Sequence, residues 1–437
     1  MERRIFFYVL LFLIKTLSVY SFGHSLLPLF SLDPSYININ HGSYGSAPKY
    51  VHEKLHEYQM KAEYNPDRWF RREIQIEMKN LQEKLSKYVN CDSSDIVILE
   101  NASNGINTIL KSIKFHSNET ILYYNIAYGM VKLTLQYISS EILTPEQCVE
   151  IILDHETIQN TDLLLKTTED TLDKIKNVKL IVFDHISSVP SILFDIETMI
   201  KFFREKGILT LVDGAHAIGA IPIDLKKLDP DFYITNAHKW LYTHRSASLL
   251  YVKKDFQNLI HPIITSFGYL QPFQDEFFWL GTKDYSAYLT ISDALDFRQT
   301  IANESQIYSY MHQLANQAGN LLAQMWNSSI LILDDKYIST MNNIQLPLTI
   351  DTLDKKDNLY AKLVNDYNIF LPMYEFDKKF YCRISAQIYM ELNDYEKVGN
   401  IVLDIIFNRD PPPNTAQKKN ISTILFISLM LYIMQLY

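Results

Sequence analysis

The chain has 437 residues, of which 47% are hydrophobic and 21% are charged. This composition is typical of a globular protein long enough for two domains, and it excludes disordered, collagenous and coiled-coil chains. The formal net charge of −9 argues against a nucleic-acid partner, because phosphate backbones are bound by basic surfaces. Glycine supplies only 12 residues, well below the usual ~7%, so we expect each glycine to lie where the backbone requires it.

The cysteine content excludes two kinds of cross-link. Cys91, Cys148 and Cys382 are the only cysteines, and no CxxC motif or His/Cys cluster with metal-ligand spacing occurs. A disulfide framework requires several cysteine pairs, and a structural zinc site requires four closely spaced Cys or His ligands. We therefore predict neither, and no metal site.

The N-terminal segment has the pattern of a targeting signal. Residues 1–22 begin with Met-Glu-Arg-Arg, continue with an apolar run over 5–14 and end in smaller residues. This order predicts a signal peptide. Lys15 interrupts the apolar run, so an N-terminal anchor is the alternative.

The C-terminal segment, 409–437, has the pattern of a membrane attachment. Three prolines, 411–413, precede a polar spacer and the mostly apolar run 421–437. This order predicts a glycolipid-anchor (GPI) signal, with a bilayer-spanning tail anchor and a buried helix as alternatives. The two termini together predict a protein of the secretory pathway, extracellular or at the cell surface, that is held to the membrane through its C-terminal tail. A cytoplasmic location is the alternative.

Between the ends, strand-like and helical patterns alternate. Helical periodicity covers 104–113 and 196–206, and it separates apolar runs at 96–99, 120–124, 148–153, 179–183, 208–212, 232–234 and 248–252. Such alternation predicts an α/β fold with a mainly parallel seven-stranded sheet covered by helices on both faces. Ligands bind such a sheet at the carboxyl ends of its strands.

The pattern changes after Asp284. Long helices are predicted at 287–300 and 306–325, followed by short strands at 330–333 and 382–384. We therefore expect an N-terminal arm at 23–65 that contributes to the small domain and the active site, a large domain at 66–285, and a smaller α+β domain at 286–408.

Two polar residues at the ends of apolar runs suggest a cofactor. Asp213 ends one run and Lys239 follows the next. A buried lysine has a lowered pKa and forms Schiff bases with carbonyl groups. A neighbouring aspartate can keep a pyridinium nitrogen protonated, so that the ring withdraws electrons. Taken singly, Asp213 could cap a strand and Lys239 could extend to solvent, but together they indicate pyridoxal 5'-phosphate.

The chain resembles the class V, fold-type I pyridoxal-phosphate enzymes, in the branch of isopenicillin N epimerase and the cysteine desulfurases. The resemblance covers residues 36–405. Nine segments carry it in the family's order: NHGSYG (40–45), NPDRWF (65–70), NAS (101–103), YG (128–129), DHISS (184–188), DGAH (213–216), HKW (238–240), GTKD (281–284) and RIS (383–385).

The resemblance implies how the cofactor ring is held. Lys239 would form the Schiff base and later move the α-proton of the substrate. Asp213 would pair with the ring nitrogen, His216 would bond the phenolic oxygen and Tyr128 would stack on the ring. Ser188 is implied to contact a cofactor oxygen.

The cofactor phosphate is expected at the start of the predicted helix 104–113, where free N–H groups and the helix dipole favour an anion. The resemblance implies phosphate contacts from Ala102, Ser103, Asn236 and His238. Thr282 is implied to reach the phosphate of a second subunit. This sharing predicts a homodimer with shared active sites.

The substrate is expected to be an amino acid. Arg383 matches the family's arginine that forks onto the α-carboxylate, a task for which guanidinium geometry is suited. Asn40 and His41 of the N-terminal arm, together with Arg68, are implied to approach the substrate or its side chain.

Several reactions are compatible with this site. A cysteine desulfurase needs a mobile cysteine nucleophile before the carboxylate-binding arginine, and only Cys382 lies between Lys239 and Arg383. We therefore expect β-elimination by a C–S lyase acting on cysteine or a cysteine derivative. An aminotransferase or an epimerase of the same family is the alternative, and a catalytically inactive surface binding protein is a further one.

Overall fold

A computed structural model describes residues 21–141, 143–144 and 147–409. The predicted membrane tail, apart from Arg409, and most of the predicted signal peptide lie outside these residues. None of the helices within the described ranges combines the length and apolar composition needed to cross a bilayer. At the predicted signal boundary, the Phe22 ring stacks on Tyr310 at 4.6 Å between centroids, so residue 22 packs with the folded domain.

The predicted seven-stranded sheet is confirmed. Its strands are β1 (Ile96–Leu99), β2 (Thr120–Tyr124), β3 (Cys148–Ile151), β4 (Val178–Asp184), β5 (Leu209–Asp213), β6 (Phe232–Asn236) and β7 (Ser248–Val252). Their order in space is β1-β7-β6-β5-β4-β2-β3. Strands β2 to β6 are joined by parallel pairs, while β7 runs antiparallel to β1 and β6. The carboxyl ends of the parallel strands therefore meet at one edge.

Fifteen helices follow the chain within the described ranges. They are α1 (His41–Tyr44), α2 (Lys49–Tyr64), α3 (Pro66–Arg68), α4 (Ile74–Tyr88), α5 (Ala102–Ser112), α6 (Gly129–Glu141), α7 (Thr161–Leu172), α8 (Ile196–Glu205), α9 (Leu225–Leu228), α10 (Ala237–Trp240), α11 (Phe273–Phe278), α12 (Ser286–Ile301), α13 (Glu304–Met325), α14 (Leu353–Tyr367) and α15 (Leu392–Ile406). A π-helical turn, Trp69–Glu73, joins α3 to α4.

Two hydrophobic cores cover the two faces of the large sheet. Helices α5 and α6 pack on one face, against residues such as Val182 and Leu211. Helices α4, α7 and α8 pack on the opposite face, against residues such as Phe183 and Val212. The faces alternate along each strand because successive side chains point in opposite directions.

A three-stranded antiparallel sheet forms the centre of the smaller domain. Its strands are β8 (Met341–Gln345), β9 (Met373–Phe376) and β10 (Lys379–Ser385), in the order β8-β10-β9. The predicted strand at 330–333 is wrong, because within it only Ile330 forms an isolated bridge, to Ile344. Strand β8 was missed because asparagines interrupt its apolar pattern, and those asparagines are buried and hydrogen-bonded.

The N-terminal arm packs on this domain. Leu26, Phe30 and Ile39 join its hydrophobic core. The Ser385 N–H of β10 donates to the Ile39 carbonyl at 2.8 Å. This contact brings the following segment, which contains Asn40 and His41, beside the end of β10.

Candidate active site

The carboxyl ends of three adjacent parallel strands bring polar side chains together. Asp184, Asp213 and Asn236 end β4, β5 and β6, and all three are buried. By the alternation along each strand, they share the face covered by α5 and α6. Asp184 and Asp213 are direct neighbours in the pairing register. This edge is where the fold class predicts a ligand.

Lys239 lies in the single turn of α10, directly after β6, and its amine meets His216. The Lys239 Nζ is 3.0 Å from the His216 Nε2. Burial, followed by the Arg383 guanidinium, lowers the pKa of Lys239 to about 7, while the Asp213 and Asp184 carboxylates act in the opposite direction. A large fraction of the amine is therefore unprotonated near neutral pH and able to act as a nucleophile or base.

The backbone around Lys239 is held from several sides. His41 Nε2 donates to the Lys239 carbonyl at 2.7 Å, and His41 Nδ1 is 2.9 Å from the Tyr389 hydroxyl. Gly45 has a φ of +66°, and a Cβ there would lie 1.8 Å from the His238 carbonyl oxygen. Only glycine allows this approach, as its scarcity in the sequence led us to expect.

The prediction that His41 contacts the substrate side chain is not supported. The residue is 1% exposed, and both ring nitrogens are engaged inside the protein. Burial lowers its pKa to about 4, so the ring is neutral. The position of His41 is consistent with support of the Lys239 turn.

Asp213 has the surroundings of an anion that needs a cationic partner. It is 3% exposed and accepts from the Ala215 N–H at 3.0 Å. Burial raises the pKa of Asp213, and burial together with the Asp213 charge raises the pKa of Asp184 well above its usual value. Two carboxylates this close in a buried site do not both ionise readily.

The predicted phosphate end lies at the N-terminus of α5. Asn101 caps this helix by accepting from the Asn104 N–H at 2.9 Å. The Ala102 N–H, however, donates to Asn236 Oδ1 at 2.8 Å. The Asn236 side chain therefore holds the first residue of α5 in place. Ser103 follows in the first turn.

His238 is oriented by the residue that directly precedes β7. Its Nδ1 is 3.2 Å from the Ala247 carbonyl oxygen, which can only accept, so Nδ1 carries the proton. Burial lowers the pKa of His238 to about 4. The neutral ring has an acceptor at Nε2, so His238 would donate to a phosphate only after protonation, which a nearby dianion would favour.

Arg383 is a buried cation surrounded by neutral oxygens. Its Nη1 donates to the Ser188 carbonyl and hydroxyl at 3.1 and 3.3 Å. Its Nη2 donates to Asn40 Oδ1 at 2.9 Å and to Ser43 Oγ at 3.0 Å. The buried Nε has no hydrogen-bond partner among the described residues. Burial lowers the pKa of Arg383 to about 10, and an incoming carboxylate would compensate this cost.

These contacts change two assignments. Ser188, predicted to contact the cofactor, instead bonds Arg383 through both its carbonyl and its hydroxyl. Asn40, predicted to approach the substrate, contacts Arg383 through its side-chain oxygen. Both residues therefore orient the guanidinium.

The remaining predicted site residues are Tyr128, Thr282 and Arg68. Tyr128 is partly buried beside the α5 and α6 core and near enough to affect the pKa of Arg383. Thr282 is exposed on the loop before α12. Arg68 is exposed and forms an ion pair with Glu73, so its predicted substrate contact is not supported within this chain.

Sequence reasoning missed Asp184, Ser43 and Trp240 as members of the site. Strand alternation could have found Asp184, because it ends a predicted strand in register with Asp213. The contact of Ser43 with Arg383 depends on the path of the N-terminal arm. The contact of Trp240 with His216 depends on the turn of α10.

Residues 44–371 match the family model for class V aminotransferases. The chain belongs to this family. The class V chain is 30% identical over 393 residues to the hercynylcysteine sulfoxide lyase of Schizosaccharomyces pombe, a match that covers 88% of this chain and 97% of that protein. It is 26% identical over 402 residues to the L-cysteine desulfhydrase of Arabidopsis thaliana, with 84% and 87% covered.

Solved structures agree on the fold. A cystine C–S lyase in complex with cysteine persulfide superposes on the class V chain with a TM-score of 0.73 at 18% identity, covering 85% of this chain and 97% of that one. The cysteine desulfurase of Thermococcus onnurineus gives a TM-score of 0.74 at 18% identity, with 90% and 100% covered. The predicted fold-type I architecture is confirmed, and the protein is a pyridoxal-phosphate enzyme.

The described residues fit this cofactor. A buried carboxylate at Asp213 suits a protonated ring nitrogen, the low-pKa amine of Lys239 suits an aldehyde, and the N-terminus of α5 suits a phosphate. These groups converge at the carboxyl edge of the sheet. The orphaned Nε of Arg383 offers a donor to the carboxylate of an amino-acid substrate.

Replacing Arg383 by lysine tests this last assignment. Lysine keeps the charge but loses the planar fork, so we expect KM for an amino-acid substrate to rise about 10- to 100-fold, the range of one lost charged hydrogen bond. Steady-state kinetics would measure KM, and the visible spectrum of the bound cofactor should be unchanged. A normal KM in Arg383→Lys would contradict the assignment.

Proposed function

We propose that this enzyme is a C–S lyase that cleaves the Cβ–S bond of cysteine or an S-substituted cysteine by β-elimination. The observation that carries the proposal is the buried Lys239 amine, which lies 3.0 Å from His216 Nε2 and whose pKa is lowered to about 7 by burial and Arg383. The buried Arg383 Nε, which has no hydrogen-bond partner among the described residues, adds a donor for a substrate carboxylate. The similarity to a sulfoxide lyase and to a cysteine desulfhydrase supports sulfur chemistry.

The residues divide the work between binding and proton transfer. Pyridoxal phosphate, when bound, supplies electron withdrawal from the substrate α-carbon. Lys239 Nζ takes the α-proton, for which a pKa of about 7 is well matched to neutral conditions. Asp213 would stabilise a positive charge at the ring nitrogen. His216 would donate from Nε2 to the phenolic oxygen of the cofactor.

Arg383 orients the substrate. Its contacts with Ser188, Asn40 and Ser43 restrict the guanidinium before any substrate binds. A carboxylate bound there is fixed in direction, so the α-proton is directed toward Lys239 in every productive complex. Such orientation supplies a large part of a rate enhancement.

The described cysteines favour elimination over persulfide chemistry. Cys382 is fully buried in β10, within the core of the smaller domain, and burial raises its thiol pKa. Its side chain lies on the opposite face of β10 from that of Arg383, because the two residues are consecutive. It therefore does not present a mobile nucleophile to the site.

The direct test is a product analysis. We expect the purified holoenzyme to convert cysteine, or S-methylcysteine sulfoxide, to pyruvate and ammonia with release of a sulfur compound. The measurement is coupled detection of pyruvate together with sulfide from cysteine, or with the thiosulfinate that forms when the methanesulfenic acid released from the sulfoxide condenses. Lys239→Ala should abolish the reaction, and Lys227→Ala, which removes an exposed lysine paired with Glu197, should not.

The same assay separates the alternatives. Amino transfer from alanine to a 2-oxo acid with no sulfur release would indicate an aminotransferase. Racemisation of an amino acid without elimination would indicate an epimerase. A protein that stays colourless with added cofactor would indicate an inactive binding protein.

We also propose a homodimer. Several large apolar side chains before α11 are exposed in the single chain, with Phe267 at 91% and Leu270 at 69%. The other members of this apolar segment are Leu259, Ile263, Ile264 and Tyr269. Exposed apolar patches of this kind mark interaction surfaces.

Light scattering tests the dimer. We expect twice the mass of the purified chain, which is 51.1 kDa at full length, for the wild type and the monomer mass for the double variant Phe267→Asp, Leu270→Asp, because charges resist burial. Leu348→Asp, at a side chain 67% exposed on the smaller domain, is the matched control and should stay dimeric. A monomeric wild type would refute the proposal.

We further propose that the protein is secreted and held at the membrane by its C-terminal tail. The support is the order of charged, apolar and polar segments at the two termini. Treatment of intact cells with a phosphatidylinositol-specific phospholipase should release the protein. Recovery in the cytosol alone would contradict both terminal assignments.

A further inference from the structure

Trp240, the residue after Lys239, forms a hydrogen bond to His216. Trp240 Nε1 donates to His216 Nδ1 at 3.4 Å. Trp240 is 0% exposed and His216 is 2% exposed. The indole N–H has no acceptor function, so the direction of this bond is fixed.

The bond determines which nitrogen of His216 carries the proton. A neutral imidazole has one N–H and one lone pair. Nδ1 accepts from the indole, so Nε2 must carry the hydrogen. The ring is neutral because burial, followed by nearby cationic side chains such as Arg383, lowers the pKa of His216 well below its usual value.

The tautomer in turn constrains Lys239. His216 Nε2 lies 3.0 Å from the Lys239 Nζ. With a hydrogen on Nε2, the pair is favourable only if Nζ accepts, and an ammonium group has no lone pair. We propose that Trp240 is a positioning residue that fixes the tautomer of His216 and thereby keeps the Lys239 amine unprotonated.

The indole is itself tightly held. Its ring lies 5.2 Å from the His41 ring, and His41 bonds the Lys239 carbonyl. Arg298 Nη1 donates to the Trp240 carbonyl at 2.9 Å. Gly219, with φ +82°, packs its backbone against that of Trp240, and a Cβ there would lie 2.5 Å from the Trp240 carbonyl carbon. Trp240 can therefore impose an orientation on His216.

Charged groups around the pair also affect the protonation of Lys239 and His216, so Trp240 contributes only part of the total effect. Arg383 and burial disfavour the ammonium form of Lys239, while acids on neighbouring strands favour it. The titratable or charged groups that face Lys239 or His216 are Asp184 of β4, Asp213 of β5, His238 of α10 and Arg383 of β10.

The inference rests on the proposed role of Lys239 but not on the reaction that follows. It is tested on the cofactor-free full-length chain by following the pH dependence of amine modification. Reductive methylation with formaldehyde and cyanoborohydride, read by mass spectrometry on the Lys239 peptide, gives the midpoint pH. For the wild type we expect a midpoint near the Lys239 pKa of about 7.

Trp240→Phe removes the N–H but keeps a large ring. His216 can then place its hydrogen on Nδ1 and accept from the Lys239 ammonium at Nε2, so the midpoint should rise by about one pH unit or more, as expected for one hydrogen bond to a charged group. The matched control is Trp326→Phe, which removes a buried indole bond to the Gly399 carbonyl in the smaller domain. Its midpoint should equal that of the wild type.

A second comparison asks whether the effect passes through His216. In a His216→Leu background, Trp240→Phe should cause no further shift. An unshifted midpoint in Trp240→Phe, an equal shift in Trp326→Phe, or a full shift in the His216→Leu background would each overturn the inference. Absence of lyase activity alongside the expected shift would refute the proposed reaction and leave this inference intact.

Discussion

The site depends on how rigidly the chain holds the single turn that carries Lys239. A lysine side chain has four rotatable bonds, so the position of its amine is useful only if the backbone is fixed. His41 bonds the Lys239 carbonyl, Arg298 bonds the next carbonyl, and Gly45 lies against the preceding one. These groups come from the N-terminal arm and from α12, so segments far from Lys239 in the sequence support this one turn of the large domain.

The site buries both basic and acidic side chains, and their protonation depends on this burial and on their charged neighbours. The Arg383 cation lies close enough to disfavour the ammonium form of Lys239, while Asp213 and Asp184 form an acidic pair on adjacent strands. An isolated buried charge is costly, and bound ligands would supply partners of opposite sign to two of these groups, the ring nitrogen to Asp213 and the substrate carboxylate to Arg383. The charged side chains at Asp213 and Arg383 are therefore placed to receive ligand groups of opposite charge.

The two domains meet at Arg383. Its strand belongs to the smaller domain, but Ser188 belongs to the loop that follows β4. The neighbouring Asn343 of β8 holds the same loop by bonding the Ser191 N–H and carbonyl at 2.8 Å each. The proposed carboxylate-binding end of the site is therefore built by contacts between β10 and the loop after β4, whereas the predicted cofactor end belongs to the large sheet.

The sequence alone determined the sheet, the family and the main chemical groups. Seven apolar runs gave all seven strands because a parallel sheet buried on both faces needs continuous hydrophobic segments, and Asp213 and Lys239 were conspicuous because charged residues rarely end such segments. Strand β8 was not predictable, since its asparagines are satisfied only by partners distant in the chain. The tertiary structure decided that His41 supports a backbone, that Ser188 faces Arg383, and that Trp240 contacts His216. Hydrogen bonds have direction and short range, and whether two distant residues satisfy them depends on the folded path of the chain.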